Sequence, residues 1–360
     1  MDIKFDNFDK KTSLDKQRRL FIECFPETTD TPTVSKGHYH WKFHSFPHTP
    51  TSYEYDARID KDIIGYYAAI PYSYNFFKEQ ITVGMVCDVM TGIKARGKGV
   101  FTKLGVYSTD QLKEQSLAFT TGYPIRKEVI PGHLKAGWEI IFEMPLYIQF
   151  LKANALLRSK KMQFLIPILN FCIIFYNGFL RLFRLTTNRK YKIETYSENE
   201  IDKIEGLTEF IKNWQNEVPI SLNKNIEFLK WRLGAPERNY FIHIVKKNNI
   251  ILGLSISRKI IKNDIPSLGI LDYMVLKYNK KVINSLHKSI KKTAVNNKVE
   301  AILCMTSKII KKKYSFFQNG FLRSPYKFSL IVKKLDKTIN IKQVKNIHNW
   351  HLMWIDSDDL

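Results

Sequence analysis

Two glycines one residue apart, Gly97 and Gly99, stand between a run suited to a buried strand and a run suited to a helix. Residues 81–91 are rich in Val and Met, and Val100–Glu114 carries apolar residues at helical spacing. Glycines at such a junction let the backbone approach a ligand closely and turn several N–H groups outward. At a helix N-terminus these donors sit at the positive end of the dipole, so a pyrophosphate is the natural guest. Lys94, Arg96 and Lys98 surround the turn with positive charge. Two other phosphate loops are excluded. The spacing G-x-x-x-x-G-K-S/T is absent, and Thr102 stands where G-x-G-x-x-G needs its third glycine.

The rest of the first half has strand character at 52–58, 63–74, 117–123 and 138–150, with a turn at 60–62. Ser13 is expected to cap an amphipathic helix that ends near Pro26. Strands, a glycine loop, a helix and another strand predict an α/β (α+β) fold, a mostly antiparallel mixed sheet layered with helices. The 360 residues leave room for two domains. The four cysteines (Cys24, Cys87, Cys172, Cys304) are scattered, which suits a reducing cytoplasm and argues against disulfides and zinc. The N-terminal stretch has no apolar run, so no secretory signal is expected. A net charge of +23 fits an anionic partner or a plain Lys bias, and does not choose between them.

The run Lys94-Ala95-Arg96-Gly97-Lys98-Gly99 resembles the phosphate loop of the GCN5-related N-acetyltransferase (GNAT) superfamily, Gln/Arg-x-x-Gly-x-Gly/Ala, with Lys in first place. IPYSYNFF followed by ITVGMVCDVMT is similar to the family's central hairpin, and Gly137-Trp138 stands at its Gly-Phe position. The resemblance covers roughly residues 1–150. It implies an acyl-CoA donor, acetyl-CoA first, and no metal. The coenzyme pyrophosphate would bind Lys94, Arg96, Gly97, Lys98, Gly99, Val100 and Phe101. The pantetheine arm would pair beside Val86, Asp88 and Val89 like an added strand. An N–H at Val89 or Met90 would polarise the acyl carbonyl.

Catalytic groups are harder to place. His133 holds the position of the family's thiolate-protonating tyrosine; it is either that proton donor or a loop histidine beside Pro131-Gly132. Tyr123 and Tyr147 are substitutes. Asp88 is either a base with a pKa raised by burial or a structural aspartate. His38, His40, His44 and His48 interleave with Tyr39, Trp41, Phe43 and Phe46. That pattern fits a metal site, core packing or an acceptor-binding loop; the last is the expectation, with His40 and Trp41 on the acceptor.

Residues 162–185 are the most apolar stretch, flanked by Arg158, Lys160, Lys161, Arg181, Arg184, Arg189 and Lys190. An interfacial membrane helix, a helix buried between domains and a true span all remain open; the interfacial helix fits better than a span, and packing between domains weighs at least as much. Beyond it the sequence suggests a second copy of the pattern: Asp88 has a counterpart in Asp272, Leu117 in Ala301 and Gly137 in Gly320, in the same order. The second copy lacks glycines at its loop, Leu276-Lys277-Tyr278-Asn279-Lys280-Lys281. The expected layout is a catalytic GNAT domain over 1–155, a basic apolar connector over 156–190 and a degenerate GNAT-like domain over 191–360. The expected activity is acyl-CoA-dependent N-acyl transfer to a primary amine, such as a lipid-linked amino sugar of surface-polysaccharide assembly, at the cytoplasmic face of a membrane. The alternatives are a non-catalytic basic double domain on membrane or nucleic acid and a tRNA-dependent aminoacyl transferase. No nucleic-acid motif is present, so no nucleic-acid partner is expected.

Overall fold

A computed structural model describes residues 3–124, 126–182 and 191–358; Arg184, Arg189 and Lys190 lie outside the described residues. In chain order they form β1 (Lys4–Asn7), α1 (Lys10–Cys24), α2 (Lys36–His44), β2 (Tyr53–Ile59), β3 (Asp62–Phe76), β4 (Glu79–Thr91), α3 (Val100–Glu114), β5 (Phe119–Gly122), α4 (Ile130–Lys135) and β6 (Glu139–Phe150). Then come α5 (Asn154–Ser159), α6 (Ile166–Leu182), β7 (Lys192–Ser197), α7 (Leu207–Gln215), β8 (Ile220–Leu222), α8 (Ile226–Leu233) and β9 (Tyr240–Lys247). The chain closes with β10 (Ile250–Lys262), β11 (Ile265–Val275), α9 (Lys280–Asn296), β12 (Ala301–Met305), α10 (Lys308–Lys313), β13 (Leu322–Lys334) and α11 (Ile341–Lys345).

Two compact units share the chain in alternating segments. One holds Met1–Phe142, Ile220–Glu237 and Ser329–Asn349; the other holds Glu143–Pro219, Arg238–Phe328 and Trp350–Leu360. The sequence had suggested domains that simply follow one another. The difference arises because strand partners are not local. In the first unit the end of β13 pairs with β5, Ile331 opposite Gly122. In the second, the end of β6 pairs with β12, Leu146 opposite Met305. No local pattern in a sequence reveals such long-range pairing.

In the first unit β1, β2, β3 and β4 are antiparallel neighbours in that order, and β5 lies parallel to β4. Helix α3 is the crossover between β4 and β5 that a parallel pair requires. It sits close because Gly65 has no side chain: a Cβ there would lie 3.1 Å from Leu104 and 3.3 Å from Val100. Those residues, with Tyr67, Leu112 and Trp138, form the core under the helix. Helix α1 begins one turn earlier than expected, because the Asp9 carboxylate, not Ser13, accepts from the Lys11 N–H. Ser35 caps α2, which makes the histidine-rich stretch helical as far as His44.

The second unit, taken by itself, has the same connectivity. β9, β10 and β11 are antiparallel neighbours, α9 follows, and β12 returns parallel to β11. A Cβ on Gly253 would collide with Val282 at 2.6 Å, so glycine again allows the crossover helix to lie on the sheet.

Candidate active site

The site begins with a defect in β4. Ala68 pairs with Cys87 and Tyr66 with Met90, so Asp88 and Val89 together face the single residue Tyr67. This is a β-bulge, and Asp88 takes a left-handed backbone (φ 48°) to make it. On its other edge β4 pairs with β5 only from Val83–Phe119 to Val86–Gly122. β5 then stops while β4 runs on to Thr91. Among the described residues, 87–91 have no strand partner on that edge. An extended arm bearing amide groups can add there as a further strand. Val86 is the last paired residue, Val89 is half-buried and Met90 is buried.

Directly after β4 comes the glycine turn. Its base is anchored: the Gly92 N–H donates to the Ile64 carbonyl at 2.9 Å, and the Ile93 N–H donates to the Glu23 carboxylate at 2.6 Å. Ala95 is buried and the Arg96 Nε–H donates to the Thr91 carbonyl. Its rim is open. Gly97 and Gly99 both have φ 75°, and a Cβ on either would meet nothing within 4 Å. Lys94, Arg96 and Lys98 are exposed around it. No side chain caps α3, and among the described residues no hydrogen bond engages the amides of Gly97, Lys98, Gly99, Val100 or Phe101. Uncapped donors at a helix start, inside a ring of cations, constitute an anion cradle.

The corresponding junction of the second unit is closed. The Asn279 side chain accepts from the Lys281 and Val282 amides, and Glu217 accepts from the Lys277 amide at 2.7 Å. Lys277 and Tyr278 hold left-handed backbones without being glycine. The donors that the first unit leaves open are here already used, by groups that would repel an anion or must be displaced by it.

The proton-transfer candidates look different in the structure. Asp88 is half-buried, with its side chain 12% exposed, and its Oδ1 accepts from Lys42 Nζ at 2.8 Å. Burial alone would raise its pKa, but Lys42 and then Arg18 more than offset this, and the carboxyl lies below its usual range. The raised pKa expected of a base is therefore corrected: Asp88 is the anionic half of an ion pair that ties α2 to the bulge. His133 is buried on α4 between Phe101 and Trp138, with ring centroids 5.0 and 5.2 Å away. Burial lowers its pKa to about 4. At neutral pH it is an uncharged ring, which corrects the expectation of an imidazolium donor. Tyr123 directly follows the last paired residue of β5, at the mouth of the fork, and is buried. Tyr147 belongs to the core of the second unit.

Helix α2 separates the histidines. His38 is buried and acts on Asp88, His44 approaches Glu54 and Tyr39, His40 is exposed, and His48 lies past the helix end. Trp41 stacks on Trp231, with centroids 5.3 Å apart and planes 13° apart. Each indole N–H donates to the other's backbone carbonyl, at 2.7 and 2.9 Å. Trp41 is thus occupied as a structural clasp, while His40 remains available to a ligand.

Two features escaped the sequence. Lys42 lies one helical turn after His38 and shares its direction toward Asp88; that i, i+4 basic pair was the available signal. Glu54 is a buried carboxylate taking hydrogen bonds from Tyr39, Tyr66 and Ser52, with burial still pushing its pKa up. Nothing in a half-polar strand marks it out. A cavity of about 440 Å³ opens beside Glu54, lined also by Lys10, His44 and Tyr55. Its floor is β2, two strands away from the β4 fork.

A bulged and forked strand leading into an uncapped glycine turn thus sets an anion cradle beside an open strand edge. Residues 9–141 match the family model of the acetyltransferase (GNAT) domain. No curated protein matches the chain in sequence. Solved structures share the fold. A GCN5-related N-acetyltransferase from Anabaena variabilis superposes with a TM-score of 0.64 at 10% identity, covering 93% of this chain and 73% of that one. A probable N-acyltransferase from Enterococcus faecalis gives 0.63 at 12% identity, with the same coverage. The N-myristoyltransferase of Saccharomyces cerevisiae, solved with myristoyl-CoA, gives 0.58 at 11% identity, covering 92% of this chain and 82% of that one.

Proposed function

We propose that the protein transfers an acetyl group, or a related acyl group, from coenzyme A directly to a primary amine in its first unit. The observation that carries this reading is the open turn at Gly97 and Gly99, set beside the unpaired edge of β4. The amides of 97–101 would hold the coenzyme pyrophosphate, with Lys94, Arg96 and Lys98 supplying charge. The edge of residues 87–90 would pair with the pantetheine amides. An N–H of Val89 or Met90 would stabilise the oxyanion as the amine nitrogen attacks the thioester carbon. The C–S bond then breaks, the sulfur takes a proton from Tyr123 at the fork, the amine releases its own proton to water, and water returns one to Tyr123.

For the acceptor, we favour a lipid-linked amino sugar of surface-polysaccharide assembly. The net charge of +23 and the exposed apolar helix α6 support an anionic, membrane-borne substrate. His40 on α2 is the candidate acceptor contact. The second unit serves as a degenerate copy that shapes the enzyme without binding coenzyme.

Calorimetric titration with acetyl-CoA and with a long-chain acyl-CoA tests the donor. Wild type should bind at least one of them, and the Gly97→Asp, Gly99→Asp double variant should lose binding while keeping its circular dichroism. Unchanged affinity in a folded double variant would overturn the assignment.

A further inference from the structure

Helix α6 wears its amphipathicity inside out. Its two asparagines face the protein: Asn170 accepts from the Ala153 N–H at 2.8 Å, and Asn177 donates to the Phe150 carbonyl at 3.2 Å while its Oδ1 accepts from Gln149. Among the described side chains, the outward face carries no charge. Phe164 just before the helix is 76% exposed, and Ile168, Phe171, Ile174, Phe175 and Phe179 are 63, 70, 68, 68 and 50% exposed. Spacings of three and four residues place them on one stripe. A soluble protein does not leave so many large apolar side chains contiguous in water unless something covers them.

Charge identifies the cover. Between Glu143 and Glu194 the sequence has nine basic residues and no acidic one. Arg158, Lys160 and Lys161 are exposed just before the helix. The turn 317–319 packs on α6 and adds Phe317, 55% exposed, with Lys311 Nζ 5.7 Å from its ring. An isologous dimer through this stripe would bring the cationic cluster against its own copy. Anionic lipid headgroups neutralise it instead, and acyl chains take the Phe and Ile side chains. Gln163–Leu180 is long and apolar enough to cross a membrane, but a span would make the inner face give up both asparagine contacts, which favours the surface position.

We infer that α6 docks the protein on an anionic membrane surface, lying in the headgroup plane with the Phe164–Phe179 stripe in the lipid. The inference does not depend on the acyl-transfer reading, since it rests on the second unit alone, although the membrane-borne acceptor proposed above draws on the same helix.

Co-sedimentation of the full chain with vesicles tests it, using phosphatidylcholine alone and phosphatidylcholine with about 30% phosphatidylglycerol. Cys172 lies on the same face and is exposed, whereas Cys24, Cys87 and Cys304 are buried, so a polarity-sensitive fluorophore can be placed there selectively. Wild type should partition at least tenfold better onto the anionic vesicles, with a blue shift at Cys172. Phe171→Asp, Phe175→Asp should lose tenfold or more and the blue shift. Arg158→Glu, Lys161→Glu, which leaves the stripe intact, should lose the anionic preference. The inference fails if wild type ignores vesicles, if both variants bind as wild type does, or if the stripe instead forms a dimer in lipid-free solution that the aspartates dissolve. Acetyl-CoA titration of the same samples reports separately on the donor site.

Discussion

Lys42 and Asp88 meet at 2.8 Å where α2 crosses the bulge of β4, with side chains only 10 and 12% exposed. Removing one partner leaves a buried charge alone, which costs about 3–5 kcal/mol in a well-buried pair. Asp88→Asn and Lys42→Met should each destabilise the fold by about 3 kcal/mol in urea unfolding, and the double substitution by clearly less than the sum. Because the folded pKa of Asp88 lies below its ordinary value, its contribution is present above the ordinary carboxylate range and is lost as pH falls through the folded value. If Asp88→Asn instead keeps full stability and loses turnover, Asp88 is a base after all.

His133 supplies a second test. A general acid usually contributes about 10²–10⁴-fold, whereas a neutral buried ring contributes packing. His133→Phe should change kcat less than about threefold. The pH dependence should move instead. With a folded pKa of about 4 against an ordinary 6.5, the unfolded chain binds the proton more readily between those values. Stability from this residue is therefore full above about pH 6.5 and drains away toward pH 4. Lowering pH from 6.5 to 5 should remove about 1.5 kcal/mol in wild type that His133→Phe does not lose. An inflection near pH 6.5 in kcat that vanishes in the variant would restore the proton-donor role.

The anion cradle was legible because left-handed backbone at two alternate positions strongly favours glycine, and because Val100 to Glu114 announces its helix by periodicity. β3 and β4 were readable for the same local reason. What was hidden depends on distance. Neither the Lys42–Asp88 pair nor the Trp41–Trp231 clasp is encoded near its own residues. The sharing of β6 and β13 between units follows from strand pairing across most of the chain. Histidine identity at position 133 said nothing of its burial, and burial is what sets its charge.

The second unit's junction offers a prediction of independence. Asn279 uses its side chain to cap α9, and losing such a cap typically costs about 1 kcal/mol. Asn279→Ala should lower stability by that amount and leave acetyl-CoA affinity unchanged. Even with its cap removed, this junction keeps Glu217 on the Lys277 amide and has no glycine to open its backbone. A matching loss of coenzyme affinity, measured by calorimetry, would show that both junctions bind.

His40 and Trp41 are chain neighbours on α2 with opposite surroundings, and substitutions should separate them. Trp41 is half-buried against Trp231, with both indole N–H groups satisfied by carbonyls across the clasp. Trp41→Ala removes the stack and leaves a buried carbonyl and an emptied space, so about 2–3 kcal/mol of stability should go. Trp41→Phe keeps a ring and should cost about 1 kcal/mol less. His40 is exposed, and His40→Ala should stay within about 0.5 kcal/mol of wild type. If α2 forms one wall of the acceptor site, His40→Ala should raise the acceptor KM severalfold with the acetyl-CoA KM unchanged. A variant that leaves both constants where they were would move the acceptor off this helix. Attention would then turn to the Glu54 cavity, whose buried carboxylate is suited to an amine.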